Sequence, residues 1–521
     1  MNPADPHLML AFEGTEVPGW LSERLVESPP AGITLFRELN MTSPDQVAEL
    51  TADLQKLNSS PLPLLIAVDQ EGGQLLGLTG STPFAGNMAL GASGDTDLAR
   101  DVAAAMGDEL GAVGVNVNYA PVADVATQAD NPSLGIRSFG ESPADVARFT
   151  GAMVEGFHRA GVIATAKHFP GKGEARTDPH YELPRLDLDQ VRLESVELPP
   201  FRSAFDAGAE LLMMGHYVVP ALTGSDDLPV SASERAIDGF VRAEMGFRGL
   251  VITDALDMGA LDQGPAQVVE IITMMRGGTD LLLCMPDPAL LERVRVAVER
   301  GFSRGLIPPE TLARSRQRID RLRRAIRPVE LDPSLVGSHD ELARRLARDS
   351  LTVVRNDRGL LPLRLDPGSR ILALEPEPTN VTPADTSALY PPSLAEALRA
   401  HHPEVTGAVY PHHPGDGDIS GAVEAAAGHD LVIVGTVTAT PGQVEMVKAL
   451  LAASTAVVTV ALRTPYDLSL YPDAATHVCT YSGHEPSMAA LAETLFRGSD
   501  RGGSLPASIP GLYPVAHRSS T

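Results

Sequence analysis

Eight short apolar runs punctuate the first 285 residues and constrain the fold more than any other feature of the chain. They are LMLAF (8–12), GITLF (32–36), LLIAV (64–68), VNVNYA (115–120), VIATA (162–166), ELLMMG (210–215), GLVIT (249–253) and TDLLLCM (279–285). Most are too apolar to alternate cleanly, so they do not read as strands with one wet face. Between most of them lie segments with helical spacing, such as SPDQVAELTADLQKLN and SPADVARFTGAMVEGFHRAG, which open with Ser and carry Pro in the first turn. Strands buried on both faces and separated by amphipathic helices predict a parallel sheet covered by helices. Eight such units over about 300 residues fit a TIM (β/α)8-type barrel better than an open sheet.

A chain of 521 residues exceeds one ordinary domain. From about 306 to 327 it reads as a basic amphipathic helix whose arginines are expected to form a solvated face. RPVELDPSLVGSHD then reads as a linker. Beyond it LTVV (351–354), ILAL (371–374), LVIVG (431–435), AVVTVAL (456–462) and THVCTY (476–481) alternate with helical segments. The expected organisation is α/β throughout: a barrel over 1–328, a linker over 329–345, and a smaller open α/β sandwich domain over 346–521. The segment 376–420, rich in Pro, Asp and His, reads as an exposed loop. Its HHPE and PHHP pairs have no carboxylate or cysteine at ligand spacing, so neither a metal nor another cofactor is expected.

The charge balance narrows the partners. With 41 Lys+Arg against 67 Asp+Glu the formal net charge is -26, which repels nucleic acid and anionic membrane, and neither is expected as a partner. The opening MNPADPHLMLAFEG lacks the basic start and apolar core of a secretory signal, and no run of about 18 apolar residues occurs. A cytoplasmic location is the resulting expectation. Cys284 and Cys479 each lie inside an apolar stretch and predict buried free thiols.

Polar residues gather where the strands should end. Asp69 follows the third run, Asn118 and Asp124 the fourth, Lys167 and His168 the fifth, His216 the sixth and Asp254 the seventh. In a barrel this is the rim that carries chemistry. A carboxylate at the end of an apolar strand, as Asp254 is, must be hydrogen-bonded or functional. Beside a cation such as Lys167 it keeps a low pKa, which suits a nucleophile; a structural cap is the alternative. Asp178 and His180 form a second candidate pair. An aspartate accepting from one imidazole nitrogen fixes the tautomer and leaves the other nitrogen free to deliver a proton. The density of Gly and Pro in AKHFPGKGEARTDPHYELP (166–184) suggests that this pair swings in on a mobile loop.

The residues 166–184 resemble the lysine-histidine-phenylalanine-proline-glycine loop of glycoside hydrolase family 3, in its branch of bacterial β-N-acetylglucosaminidases of the cell-wall-recycling type. Thr253 to Met258 is similar to that family's nucleophile segment. Further matches are VDQEGG (68–73), PFAGNMALGA (83–92), NYAPVADV (118–125) and GIRSFGE (135–141). The resemblance implies a retaining, exo-acting β-N-acetylhexosaminidase with Asp254 as nucleophile, His180 as general acid/base and Asp178 orienting it. It implies sugar hydroxyl and acetamide contacts for Asp69, Arg137, Lys167 and His168. The substrate would be a β-linked amino-sugar oligosaccharide or muropeptide fragment. Other β-glycosides, phosphorolysis in place of hydrolysis, and a barrel that binds sugar without cleaving it remain as alternatives. Gln74 and Gly77 stand where the family carries arginines, Lys172 stands for a histidine, and Pro179 for Ser or Thr.

Overall fold

The computed structural model describes residues 2–454, 456–498 and 502–519. One strand forms at each apolar run, the fifth extending past its run through Lys167 and His168: β1 Leu8–Leu10, β2 Gly32–Thr34, β3 Leu65–Val68, β4 Val117–Asn118, β5 Ile163–Phe169, β6 Leu211–Met214, β7 Leu250–Thr253 and β8 Leu282–Cys284. All pair in parallel from β8 through β1 to β7. A bridge between Ile252 and Leu281 joins the two edges, so the sheet closes into a barrel. Residues of one parity, including Leu65, Val117, Leu211, Leu250 and Leu281, fill the interior. Their neighbours Ile66, Leu212 and Val251 pack outward against the helices. Burial on both faces is the reason the runs carry so little alternation.

The helices between strands begin where Ser and Pro predicted. Ser43 accepts from the Gln46 N–H to cap Pro44–Leu57, and Ser142 does the same for Pro143–Arg159 through Asp145. The basic helix, Pro309–Ala325, departs from expectation. It lies across the N-terminal opening of the barrel, with Ile319, Leu322 and Ile326 packed on the interior cluster. Its arginines are not all a solvated face. Arg323 is 1% exposed and donates to the carbonyls of Pro63 at 2.7 Å and Leu62 at 2.8 Å, just before β3. Arg318 grips Asp280 ahead of β8 at 2.7 Å, and Arg321 reaches the Arg248 carbonyl ahead of β7 at 2.9 Å. The helical period sets Arg323 on the buried row with Thr311, Ser315 and Ile319, but it does not reveal the strand-end carbonyls that accept from its guanidinium.

The second sheet has six strands in the order Thr352–Asn356, Thr476–Cys479, Val457–Ala461, Leu431–Thr436, Ile371–Pro376, Val405–Tyr410, with only the first antiparallel to its neighbour. Strand Val405–Tyr410 falls inside the segment expected to be loop. It is an edge strand whose four central residues are exposed, so it has no apolar run to betray it. Its paired histidines are occupied locally. The His402 ring bonds the Ser369 carbonyl at 2.6 Å, His401 stacks on Phe496, and Gln443 donates to the His412 carbonyl at 2.9 Å. The stretch 329–345 includes the 3-10 turn Pro333–Leu335 and the start of helix Asp340–Ser350. It is pinned to the barrel by His339, whose ring meets Glu109 at 3.0 Å.

The two sheets share one continuous hydrophobic cluster, in which Phe84, Met88 and Phe139 of the barrel side join Leu346, Leu505 and Ile509. Backbone bonds stitch the same seam, including Glu141 N–H to Pro506 O at 3.0 Å and Ser504 N–H to Ala92 O at 3.0 Å. Both cysteines are buried and free. Among the described residues no helix is long and apolar enough to cross a membrane.

The plug helix gives a test. Arg323→Met strips two buried carbonyls of their charged donor and should cost about 2–4 kcal/mol in denaturant unfolding. Exposed Arg324→Ala should stay within about 0.5 kcal/mol of wild type.

Candidate active site

The rim at the C-terminal ends of the strands is organised around Glu71, which lies just past β3 at the start of a hairpin pairing Gln70–Gly72 with Leu75–Leu76. Its carboxylate is bound by two cations. Arg137 donates through Nε and Nη2, both at 2.9 Å, and Lys167 Nζ approaches Oε1 at 2.6 Å. Burial works against the Glu71 carboxylate, but Arg137 and Lys167 outweigh it and hold the carboxyl at about 2. Lys167 also meets Asp69 Oδ1 at 2.5 Å. Burial would strip the proton from Lys167, yet Asp69 and Glu71 together raise its pKa. Asp69 shifts up, chiefly through burial, with Lys167 opposing.

A second centre is Asp124. Its Oδ1 accepts from the backbone N–H of His168 at 3.2 Å and of Lys172 at 3.0 Å, and its Oδ2 takes the His168 Nδ1 at 2.8 Å. Burial pushes the Asp124 carboxyl up to about 6. Burial, followed by the charges of Lys172, Arg137 and Lys167, drives the His168 imidazole well below its ordinary value, so it is neutral. A neutral ring donating from Nδ1 leaves Nε2 as an acceptor, and Arg137 Nη2 lies 3.4 Å from it. Successive residues of a regular strand point to opposite faces. Here the register of β5 shifts between Ala166 and Phe169, and Lys167 and His168 both reach the cluster.

Asp254 follows β7. Its backbone N–H bonds the Met214 carbonyl at 3.0 Å, and one carboxylate oxygen accepts from the Ala255 N–H at 2.9 Å. His216, after β6, steadies the same turn: its ring meets the Ala255 carbonyl at 3.2 Å and Ser231 Oγ at 2.8 Å. The Asp178 and His180 pair is formed as expected, with His180 Nδ1 2.6 Å from Asp178 Oδ1. Burial would raise the Asp178 carboxyl, but hydrogen bonds from the His180 ring and backbone hold it below its usual value. The pair does not swing on a free arm. Gly259 N–H donates to His180 O and Ala260 N–H to Pro179 O, both at 3.0 Å, so this loop is fastened to the turn that carries Asp254. The fit requires glycine, because a Cβ at 259 would stand 2.7 Å from the Tyr181 carbonyl and 2.8 Å from that of His180.

The structure therefore brings Asp69, Arg137, Lys167 and His168 into one network, and seats Asp178 and His180 against the turn of Asp254. Of the other strand-end residues, Asn118 is committed to scaffold: it exchanges two bonds of 2.9 Å with the backbone of Gln70. Glu71 was not singled out from the sequence, although it sits inside VDQEGG; a buried acidic residue beside two glycines was the available signal. The two departures at the hairpin have structural readings. Gln74 turns away to the second sheet's loops, donating to the Ala384 carbonyl at 2.9 Å, while its own Oε1 is buried without a partner. Gly77 admits no side chain, since a Cβ there would meet the Asp69 carbonyl oxygen at 2.3 Å.

Two predictions follow from these charges and orphans. Glu71→Gln strips buried Arg137 of its bidentate carboxylate and leaves Lys167 with Asp69 alone, and should cost about 3–5 kcal/mol at pH 7. Glu71 has a depressed folded pKa, so its contribution is complete above its ordinary value of 4.5 and is lost as pH falls toward about 2. The stability gap between wild type and variant, read by thermal unfolding, should narrow over that window. The Tyr217 hydroxyl is buried with no hydrogen-bond partner among the described residues. Tyr217→Phe should therefore leave stability unchanged or raise it by up to about 1 kcal/mol.

Comparison with known proteins agrees with this geometry. The glycosyl hydrolase family 3 N terminal domain matches residues 16–322. Beta-hexosaminidase A of Pseudoalteromonas piscicida is 34% identical over 382 residues, 67% of this chain, which spans 63% of that relative's length. A beta-hexosaminidase of Xanthomonas oryzae pv. oryzae is 34% identical over 288 residues, covering 54% of this chain and 84% of its own. Among solved structures, a glycoside hydrolase family 3 beta-N-acetylglucosaminidase from Paenibacillus sp. str. FPU-7 superposes with a TM-score of 0.91 at 32% identity, over 98% of both chains. With its N-terminal domain matched over more than half of the 521 residues, the chain belongs to glycosyl hydrolase family 3.

Proposed function

We propose that this protein is a retaining, exo-acting β-N-acetylhexosaminidase that removes terminal β-linked N-acetylglucosamine. Asp254 is the nucleophile, His180 the general acid/base and Asp178 its orienting partner. The observation that carries the reading is the pair of backbone bonds fastening the His180 loop to the Asp254 turn, because it sets a proton donor beside a fixed carboxylate. The names of the hexosaminidase relatives and of the Paenibacillus enzyme support the sugar. Asp69, Arg137, Lys167 and His168 line the sugar subsite, held by Glu71 and Asp124.

In the first step an Asp254 oxygen attacks the anomeric carbon while His180 Nε2 gives its proton to the leaving oxygen. The step is taken by the imidazolium, whose Nδ1–H stays on Asp178, and loss of the Nε2 proton leaves the neutral Nδ1–H ring. The neutral imidazole then takes a proton from water, which displaces Asp254 from the same carbon. Two displacements retain the configuration. Chitin-type and muropeptide fragments ending in N-acetylglucosamine are the substrate class. The two buried free thiols accord with a reducing, cytoplasmic setting. The organisation into a catalytic barrel to about residue 328 and a second domain from about 346 belongs to the same proposal.

Release of nitrophenol from the N-acetyl-β-glucosaminide tests the reading, and a folded wild type without turnover rules it out. Turnover of the glucoside in preference, or a sugar phosphate product when phosphate is added, would replace it with one of the other β-glycoside chemistries. Asp254→Ala should lose about 10³-fold or more in kcat. His180→Gln should lose about 10²- to 10⁴-fold on ordinary substrates. With a dinitrophenyl leaving group, which needs no proton, the same variant should accumulate a glycosyl adduct visible as a mass increase. Gly259→Ala should displace His180 and lower kcat by about 10²-fold.

A further inference from the structure

Lys172 occupies a position that nothing in the proposed reaction uses. Its backbone is fixed on both sides. Its N–H donates to Asp124 at 3.0 Å, and its carbonyl accepts from Asn131 Nδ2 at 2.7 Å and from the Ala175 N–H at 3.0 Å. The residue is 1% exposed, yet among the described residues its ammonium makes no hydrogen bond and no ion pair. The residue is covered, but its nitrogen is not among the buried unpartnered atoms, so the ammonium keeps a narrow contact with solvent where a ligand could meet it. Here the charged groups that face it stand off: Asp124, Asp178 and Asp254 favour the cation, while Arg137 and the neighbouring His168 do not. Burial dominates and draws the Lys172 pKa down to about 8.

Those three carboxylates come from the loop after β4, the His180 loop and the turn after β7. All three segments meet at the C-terminal rim of the barrel. A lysine ammonium offers three donors and no acceptor, so a ligand that completes it must present an acceptor oxygen. Building on the reading above, we propose that Lys172 is a specificity-determining residue that donates to an acceptor oxygen of the amino sugar seated on Asp254. Both the acetamide carbonyl and a ring hydroxyl present such an oxygen.

The test is calorimetric binding of N-acetylglucosamine, and of glucose as the comparison, to wild type and Lys172→Met between pH 6 and 9.5. Lys172→Gln serves if the first variant does not fold. At pH 7 the variant should bind N-acetylglucosamine about 10- to 100-fold more weakly. Wild-type affinity should fall by up to tenfold per pH unit above about 8 as the ammonium loses its proton, whereas the variant lacks that fall. Effects of pH that do not pass through Lys172 are common to both proteins, so the ratio of their affinities isolates Lys172. Weakened glucose binding assigns the contact to a hydroxyl, and unchanged glucose binding assigns it to the acetamide. A folded variant that binds N-acetylglucosamine within twofold of wild type, or that keeps the same alkaline fall, overturns the role of Lys172. If wild type hydrolyses the glucosaminide, that result leaves the functional reading intact. Wild type that neither binds the sugar nor hydrolyses its glycoside overturns both.

Discussion

The rim depends first on a single carboxylate placed between two cations. Glu71 joins three segments that the chain contributes separately: the hairpin after β3, the turn bearing Arg137, and the end of β5. Burial makes each of these charges costly alone and rigid together, because removing any one strands the others in a medium that cannot solvate them. A loop-borne group seldom achieves such definition by packing alone. Ion pairing supplies it here, and leaves Asp69 and His168 oriented without binding them over completely.

The two ends of the barrel use charge for opposite purposes. At the N-terminal end, Arg318, Arg321 and Arg323 of one helix are matched to Asp280 and to backbone carbonyls of the scaffold. At the C-terminal end, several polar groups have capacity left over. Among the described residues nothing binds one ring nitrogen of His180, one oxygen of Asp254 or the ammonium of Lys172. Satisfied polar groups stabilise; unsatisfied but rigid ones recognise and react.

Much of the barrel was legible because both-sided burial writes itself as uninterrupted apolar runs, and a strand formed at each of the eight. The candidate residues were legible for a related reason: a polar side chain directly after such a run has few places to go except the rim. What escaped were features fixed by distant partners. Glu71 is 66 residues from Arg137, and neither residue's neighbours hint at the other. Arg323 falls on the buried row with Thr311, Ser315 and Ile319, but the carbonyls that let a guanidinium be buried there lie 260 residues away. Val405–Tyr410 was missed for the reverse reason, since an exposed edge strand requires no apolar pattern.

The approach of Gly77 to the backbone of Asp69 bears on how specificity in this branch can diverge. A change of sugar preference is usually imagined as one side chain exchanged for another. Where the chain passes so close to the residue that would hold the sugar, the absent side chain is recorded in the path of the main chain itself. Placing an arginine at 77 demands a rebuilt hairpin, so exchange of the whole segment, not of one residue, is the route by which such a side chain could be introduced here.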